Sequence, residues 1–207
     1  MTLQTELFLK EQYTQFECPE IRSGWHLNRR YYSVWIVPLP NSIVHKIKLL
    51  QDAFKPWIIP MHSPHITVSA CGFPSEDPQY SDDVSTKTIQ EQADQLKKYA
   101  PFNLRLDGLS SFLNGPIVQI SPSPDLLNMN ECLTQKTQDF RSVPYSPHIC
   151  LGLYKKPYPT TQIFEKMKDL TPLSFISWQI QSIELADFEA SDPTARLYTK
   201  KIIHLSK

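Results

Sequence analysis

The tetrapeptide "SPHI" occurs twice, at Ser63–Ile66 and at Ser146–Ile149, in a chain of 207 residues that has only 6 histidines. Beyond the repeated letters the copies differ, because the first continues to Thr67 and the second to Cys150. Side chains two positions apart on a β-strand point to the same face. Each histidine therefore shares a face with a small side chain that can form hydrogen bonds.

The two histidines mark an internal duplication. They lie 83 residues apart (148 − 65), and the same offset carries Val34–Val37 onto Ile117–Ile120, another apolar run. It also carries Ser42, where a helical pattern begins, onto Asp125. An order of strand, helix and histidine strand that occurs twice is typical of a duplicated fold. We therefore predict an α+β fold of two pseudo-symmetric lobes of antiparallel sheet, with helices packed outside and a central cleft.

The rest of the chain gives boundaries for this domain. Residues 1–30 lie outside the repeat and are predicted to be an N-terminal extension, whereas 31–207 form a single bilobal domain. Within the extension, Arg29 and Arg30 make a small basic cluster that we interpret as a solvated loop rather than a phosphate site. The polar run at 72–83 is predicted to be a loop, and His148–Tyr154 one strand.

Composition limits the functions that the chain can have. Lys and Arg number 21 and Asp and Glu number 21, so the formal net charge is zero. This balance argues against a long nucleic acid as partner, but it permits a small nucleotide or an RNA end in a local pocket. The sequence contains no C-x-x-C pair, no long apolar run and no secretory signal. We therefore expect a cytoplasmic protein without a membrane span, and we expect a monomer.

Two histidines that face one pocket suit acid–base chemistry on a phosphate. Imidazole titrates near neutral pH, so one neutral and one protonated ring can act together as base and acid. The neighbouring Thr67 and Cys150 can donate hydrogen bonds to phosphate oxygens in the transition state. Such a site can open a cyclic phosphodiester without a cofactor. A metal site is not predicted, because Cys71 lies about 20 Å beyond His65 along an extended strand and the two cannot share an ion.

Four stretches together resemble the 2H phosphoesterase superfamily, which includes bacterial RNA ligase/cyclic phosphodiesterase proteins, and within it most closely the plant and yeast cyclic phosphodiesterases. They are "YSVWIVP" at Tyr32–Pro38, "PHITV" at Pro64–Val68, "PYSPHICLGLY" at Pro144–Tyr154, and Trp178–Leu205. The resemblance implies the bilobal 2H phosphoesterase fold and metal-independent opening of a nucleoside 2′,3′-cyclic phosphate, an ADP-ribose cyclic phosphate or an RNA end. It also implies that His65 and His148 are the catalytic acid–base pair.

The resemblance further implies roles for the remaining site residues. Thr67 corresponds to a donor to phosphate oxygens, and Trp35 to a tryptophan suited to stacking on a base, although a core aromatic is an equal alternative for Trp35. Tyr154 approximates a tyrosine that follows the second motif, and it shares the catalytic face if no bulge intervenes.

Cys150 departs from the family pattern, which has Thr or Ser at this position. A thiol is a weaker hydrogen-bond donor than a hydroxyl. This departure leaves two alternatives open: a 2′–5′ oligonucleotide phosphodiesterase or RNA ligase, and a non-catalytic nucleotide-binding module.

Overall fold

A computed structural model describes residues 2–16, 24–135, 137, 145–170 and 176–206. Within these ranges it contains five α-helices and eleven β-strands. The helices are α1 (Leu3–Leu9), α2 (Asn41–Phe54), α3 (Thr86–Leu96), α4 (Pro124–Thr134) and α5 (Thr160–Lys168). The strands are β1 (Tyr31–Val37), β2 (Ile58–Pro60), β3 (Ile66–Ser75), β4 (Asp83–Ser85), β5 (Phe102–Phe112), β6 (Gly115–Ile120), β7 (His148–Cys150), β8 (Gly152–Tyr154), β9 (Ser177–Ile180), β10 (Ser182–Glu189) and β11 (Tyr198–His204).

Nine of these strands form one continuous sheet, and the two histidine strands meet at its centre. The order is β11-β10-β1-β3-β7-β6-β5-β9, with β4 attached in parallel to β3, and every other pairing is antiparallel. Outwards from the β3–β7 contact, β1 corresponds to β6 and β10 to β5. The predicted α+β fold of two related halves is confirmed.

The structure shows how the two repeats build these halves. Helix α2 begins at Asn41 and α4 at Pro124, so their starts are 83 residues apart (124 − 41), as the histidines are. Strand β5 follows the first repeat but pairs with β6, and β10 follows the second repeat but pairs with β1. Each half of the sheet therefore contains strands from both repeats, because the last strand of each repeat pairs with the first strand of the other.

The two faces of the sheet carry different apolar clusters. The main core lies against the helices and includes Val68 and Ile149, the neighbours of the histidine-motif residues. A smaller cluster of Val34, Ile36 and Ala186 is separate from that core. Ile36 pairs with Thr67 across β1 and β3, so the smaller cluster lies on the same face as Thr67.

The described N-terminal residues pack against both halves of the sheet. Helix α1 buries Phe8 in the main core, and the Thr5 hydroxyl lies 3.0 Å from that of Ser110 on β5. Further along, Arg29 contacts the carboxylates of Asp82 and Asp83, both at 2.6 Å. The separate status of residues 1–30 as an extension stays a prediction.

Arg29 and Arg30 do not form a basic cluster open to phosphate. Arg29 lies over the ring of Phe73, 3.8 Å from its centroid, while it contacts the two aspartates. Arg30 pairs with Glu189 at 2.7 Å. The interpretation of this segment as a solvated loop is therefore wrong for Arg29. Its contacts join the N-terminal segment to β3 and β4.

Some predicted elements have different boundaries in the structure. Strand β3 continues to Ser75 and β4 begins at Asp83, so the loop predicted at 72–83 is shorter. The single strand predicted over His148–Tyr154 is interrupted at Leu151, because β7 pairs with β3 and β6 whereas β8 pairs with β2. In the described ranges, no helix has both the length and the apolar character needed to cross a bilayer.

Candidate active site

The pairing of β3 with β7 places the two motifs side by side. These strands are antiparallel, with Ile66 opposite Ile149. One residue further in each direction, this register sets His65 opposite Cys150 and Thr67 opposite His148. Side chains directly opposite have Cβ atoms about 4.5–5.5 Å apart, and diagonal neighbours about 7–8 Å. The two imidazoles are therefore diagonal neighbours on one face, related by a pseudo-two-fold axis between Ile66 and Ile149.

The tautomer of His65 is fixed by its own chain. Its Nδ1–H donates to the carbonyl oxygen of Ser63 at 2.8 Å, because a carbonyl can only accept. In the neutral ring Nε2 is then an acceptor, and the Thr67 hydroxyl donates to it at 3.1 Å. Burial lowers the pKa of His65 from its ordinary 6.5, although the hydrogen bond to Ser63 partly opposes this shift. The site therefore favours a neutral His65 whose Nε2 can take up a proton.

His148 repeats this arrangement in the second half. Its Nδ1–H donates to the Ser146 carbonyl oxygen at 2.7 Å. The ring of Phe112 lies edge-on to the imidazole, with centroids 4.8 Å apart and planes at 79°. Phe112 was not identified from the sequence, because it comes from the end of β5 and lies outside every motif.

Cys150 and Gln119 complete the second half of the site. The Cys150 thiol lies 3.5 Å from the Gly152 carbonyl oxygen, and Cys150 pairs with Ile117 on β6. Gln119 pairs with His148, and its Oε1 is buried without a hydrogen-bond partner in the described part of the chain. No sequence pattern points to Gln119, since only strand pairing brings it beside the histidine.

Trp35 does not lie at this site. It has 0 % of its surface exposed, and its indole N–H donates to Gln92 Oε1 at 2.9 Å. It belongs to the main core on the helix-covered face, opposite to the face that carries Thr67. The role of stacking on a base is therefore corrected to the alternative of a core aromatic, because a side chain without exposed surface cannot contact a ligand.

Tyr154 is also part of the core. It is 1 % exposed, its hydroxyl lies 2.7 Å from that of Ser111, and burial raises the pKa of its phenol. The interruption at Leu151 changes the alternation of side chains, so Ile149, Leu151 and Tyr154 all belong to the main core. Tyr154 was expected to share the catalytic face only if no bulge intervened, and the interruption breaks this condition. The prediction of a substrate-binding role is therefore corrected, and Tyr154 is a core residue.

A group of aromatic rings lies beside the smaller apolar cluster, on the face of the sheet that carries Thr67. Trp25 and Tyr32 have centroids 5.5 Å apart, and Tyr32 and Phe188 have centroids 5.6 Å apart. These residues come from three separate segments that only the sheet brings together, so no local sequence pattern points to them.

The described residues offer little to a metal ion. Among them, no three His, Cys, Asp or Glu side chains come close enough together to hold one. Cys71 is buried, and desolvation raises its pKa to about 12, so its thiol stays protonated.

Comparison with known proteins assigns the family. The family model described as the 2′-5′ RNA ligase superfamily matches residues 38–192, which include both histidine motifs. The chain belongs to the 2′-5′ RNA ligase superfamily. The resemblance to 2H phosphoesterases is thereby confirmed, whereas the closer likeness to plant and yeast cyclic phosphodiesterases stays a prediction. The sequence matches no curated protein.

Solved structures show the same fold. Escherichia coli LigT in its apo form is 18% identical with a TM-score of 0.60, over 87% of this chain and 100% of that chain. TT0787 of Thermus thermophilus is 18% identical with a TM-score of 0.60, over 84% of this chain and 97% of that one. LigT complexed with 3′-AMP is 18% identical with a TM-score of 0.64, over 86% and 99%. At these identities the likeness concerns the fold alone.

Proposed function

We propose that this protein is a metal-independent phosphodiesterase that opens a 2′,3′-cyclic phosphate on a nucleoside, on ADP-ribose or on an RNA end. The observation that carries the proposal is the β3–β7 register, which makes His65 and His148 diagonal neighbours on one face. Superfamily membership supports an enzyme that acts on phosphodiester bonds. The cyclic substrate and the two-histidine mechanism are the steps that we add.

We take His65 as the base because of its environment, whereas the sequence alone does not assign the two roles. Its neutral Nε2 takes a proton from water as the water oxygen attacks phosphorus. The bond from phosphorus to one ribose oxygen breaks, and protonated His148 gives its Nε2 proton to that oxygen. The product is a nucleoside monophosphate, and solvent exchange returns each ring to its starting state. Burial lowers the His65 pKa, which keeps the ring neutral at the start of the reaction.

Thr67 has two partners in this mechanism. In the free protein its hydroxyl donates to His65 Nε2. Once that nitrogen is protonated it can no longer accept, and the hydroxyl is released to donate to a non-bridging phosphate oxygen. In our proposal Cys150, opposite His65, donates from the other side. Their donation strengthens as negative charge builds on the phosphate, which is the condition for lowering the barrier.

A second candidate reaction is favoured by the family name. A 2′–5′ oligonucleotide phosphodiesterase or RNA ligase would use the same acid–base pair on a linear bond. A third, a nucleotide-binding module without turnover, follows from the thiol at Cys150. For all three we propose a small nucleotide or RNA end as partner, no long nucleic acid, and a cytoplasmic monomer.

The discriminating experiment is hydrolysis of a substrate panel with a chelator present. We expect monophosphate release from nucleoside 2′,3′-cyclic phosphates, its loss in His65→Ala and His148→Ala, and no change in His45→Ala, which alters an exposed histidine of α2. Hydrolysis of a linear 2′–5′ dinucleotide alone would favour the second candidate. A requirement for added metal would reject the mechanism.

A further inference from the structure

A cavity of about 230 Å³ opens where the N-terminal segment, β2, β8 and the turn after β10 meet. Its walls include Phe16 from the N-terminal segment, Ile59 from β2, Leu153 from β8, and the turn at 192–194 between β10 and β11. Four separate parts of the chain therefore converge on one small space. The proposed acid–base mechanism leaves this space unused.

Two connections join this cavity to the catalytic segments. Leu153 pairs with Ile59 and follows Cys150 by three residues, which span at most about 10 Å. On the other side, the Thr194 carbonyl oxygen accepts from the backbone N–H of His62, in the segment that leads into the first histidine motif. The cavity is thus within about one nucleotide's length of the place where the phosphate is proposed to bind.

The walls determine what could fit. Phe16 is 39 % exposed, Ile59 is 41 % exposed, and Leu153 adds further apolar surface. Pockets for drug-sized ligands span about 300–1,000 Å³, so this cavity suits one ring system rather than a whole nucleotide. At its edge, Asp192 Oδ1 accepts from both the N–H and the hydroxyl of Thr194, at 2.8 Å each, which fixes the carboxylate beside the apolar walls.

We propose that this cavity holds the base of the substrate nucleotide, with Phe16 as the stacking residue and Asp192 as an acceptor for N–H groups of the base. The inference rests on the proposed function, because it needs a phosphate between His65 and His148. It assigns to the N-terminal segment the role that the family resemblance implied for Trp35. Base–aromatic stacking is tolerant of sequence, so the site takes nucleotides as a class.

The position of Phe16 is set by the second half of the sheet. The preceding backbone is held by two hydrogen bonds, from Thr14 N–H to the Tyr158 carbonyl at 2.8 Å and from Gln15 N–H to the Leu113 carbonyl at 2.7 Å. The turn at 192–194 approaches from β10 and β11, which belong to the first half. The proposed base site therefore lies between the two halves.

Equilibrium binding to the whole protein tests the proposal with two probes, adenosine 3′-monophosphate and inorganic phosphate. Phe16→Ala should weaken binding of the nucleotide about tenfold, in line with alanine substitutions at base-stacking residues, and leave binding of phosphate unchanged. Phe16→Trp should restore nucleotide binding. Tyr13→Ala is the matched control, because Tyr13 is an exposed aromatic of the same segment that does not line the cavity.

Turnover separates the two proposals. With adenosine 2′,3′-cyclic phosphate, Phe16→Ala should raise KM, whereas with glycerol 1,2-cyclic phosphate, which has no base, it should change neither KM nor kcat. Equal effects on both substrates, or none on either, overturn the base site and leave the proposed function standing. If wild type binds neither probe, both proposals fail. Ile59→Ala, which alters another exposed wall residue, should reproduce the selective loss of nucleotide affinity.

Discussion

The Nδ1–H of His65 donates to the carbonyl oxygen of Ser63, two residues earlier, at 2.8 Å. The same bond joins His148 to Ser146 at 2.7 Å. Proline between the serine and the histidine disfavours helical backbone at the serine, which favours the extended conformation there. The repeated "SPH" thus fixes the orientation of the imidazole and keeps the proton of the neutral ring on Nδ1. Nε2 can then take part in proton transfer.

The half-buried position of His65 predicts a specific dependence of stability on pH. The unfolded chain takes up a proton near 6.5, whereas folded His65 stays neutral to lower pH because burial lowers its pKa. The contribution of neutral His65 to the free energy of unfolding is therefore fully present above pH 6.5. It is lost as the pH falls from 6.5 towards the lowered pKa of the folded state. Urea unfolding between about pH 8 and 5 should show wild type losing stability relative to His65→Gln in that window. A difference that stays constant, or that shifts in favour of wild type at low pH, would contradict the assignment.

Cys150→Ser should increase the rate of hydrolysis of a cyclic phosphate. A hydroxyl donates a stronger hydrogen bond than a thiol, and removal of one transition-state donor typically costs about 10²–10³ in kcat. Because the thiol supplies part of that interaction, we expect a rise in kcat of about tenfold. Cys132→Ser, on α4, is the matched control. An unchanged or lower kcat in Cys150→Ser would remove Cys150 from the set of phosphate donors.

Trp35→Phe should affect stability and not substrate binding. The substitution removes the indole donor to Gln92 Oε1 and leaves only the Cys71 thiol, at 3.0 Å, to donate to that oxygen. The loss of one such hydrogen bond costs about 0.5–1.5 kcal/mol. Urea unfolding should show this loss while KM for a nucleoside 2′,3′-cyclic phosphate stays the same. A large rise in KM without loss of stability would show that Trp35 contacts the substrate after all.

Two adjacent arginines offer a matched test of how the N-terminal segment is held. Arg29→Ala removes contacts with Asp82 and Asp83 from a side chain that is largely buried, and hydrogen bonds to charged groups contribute about 1.5–3 kcal/mol. Arg30→Ala removes an exposed pair with Glu189 and a contact with the Tyr31 ring, and it should have the smaller effect. Equal changes in the free energy of unfolding would mean that Arg29 does not act as the anchor.

The sequence was informative where local patterns decide the structure. The offset of 83 predicted the duplicated elements. Because residues two positions apart on a strand point to the same face, the sequence predicted that His65 and Thr67 lie together. These features depend on residues close together in the chain, so a single sequence contains them.

Features that depend on pairing between distant strands could not be predicted. Alternation along β1 does not say which face of the strand meets the helices, and Trp35 lies on that face. The interruption at Leu151 follows from β8 pairing with β2 rather than with the main sheet. Gln119 and Phe112 reach His148 only through the order of the central strands, and Phe16 reaches its cavity through backbone contacts with segments far along the chain. No local spacing encodes these relationships.

The central claim is that one phosphate contacts both histidines, and it can be measured by NMR. During titration with inorganic phosphate, the Cε1–H signals of His65 and His148 should shift together with a single dissociation constant, while those of His45 and His204 stay in place. Signals that shift with different dissociation constants, or a shift of only one of the two, would contradict the account.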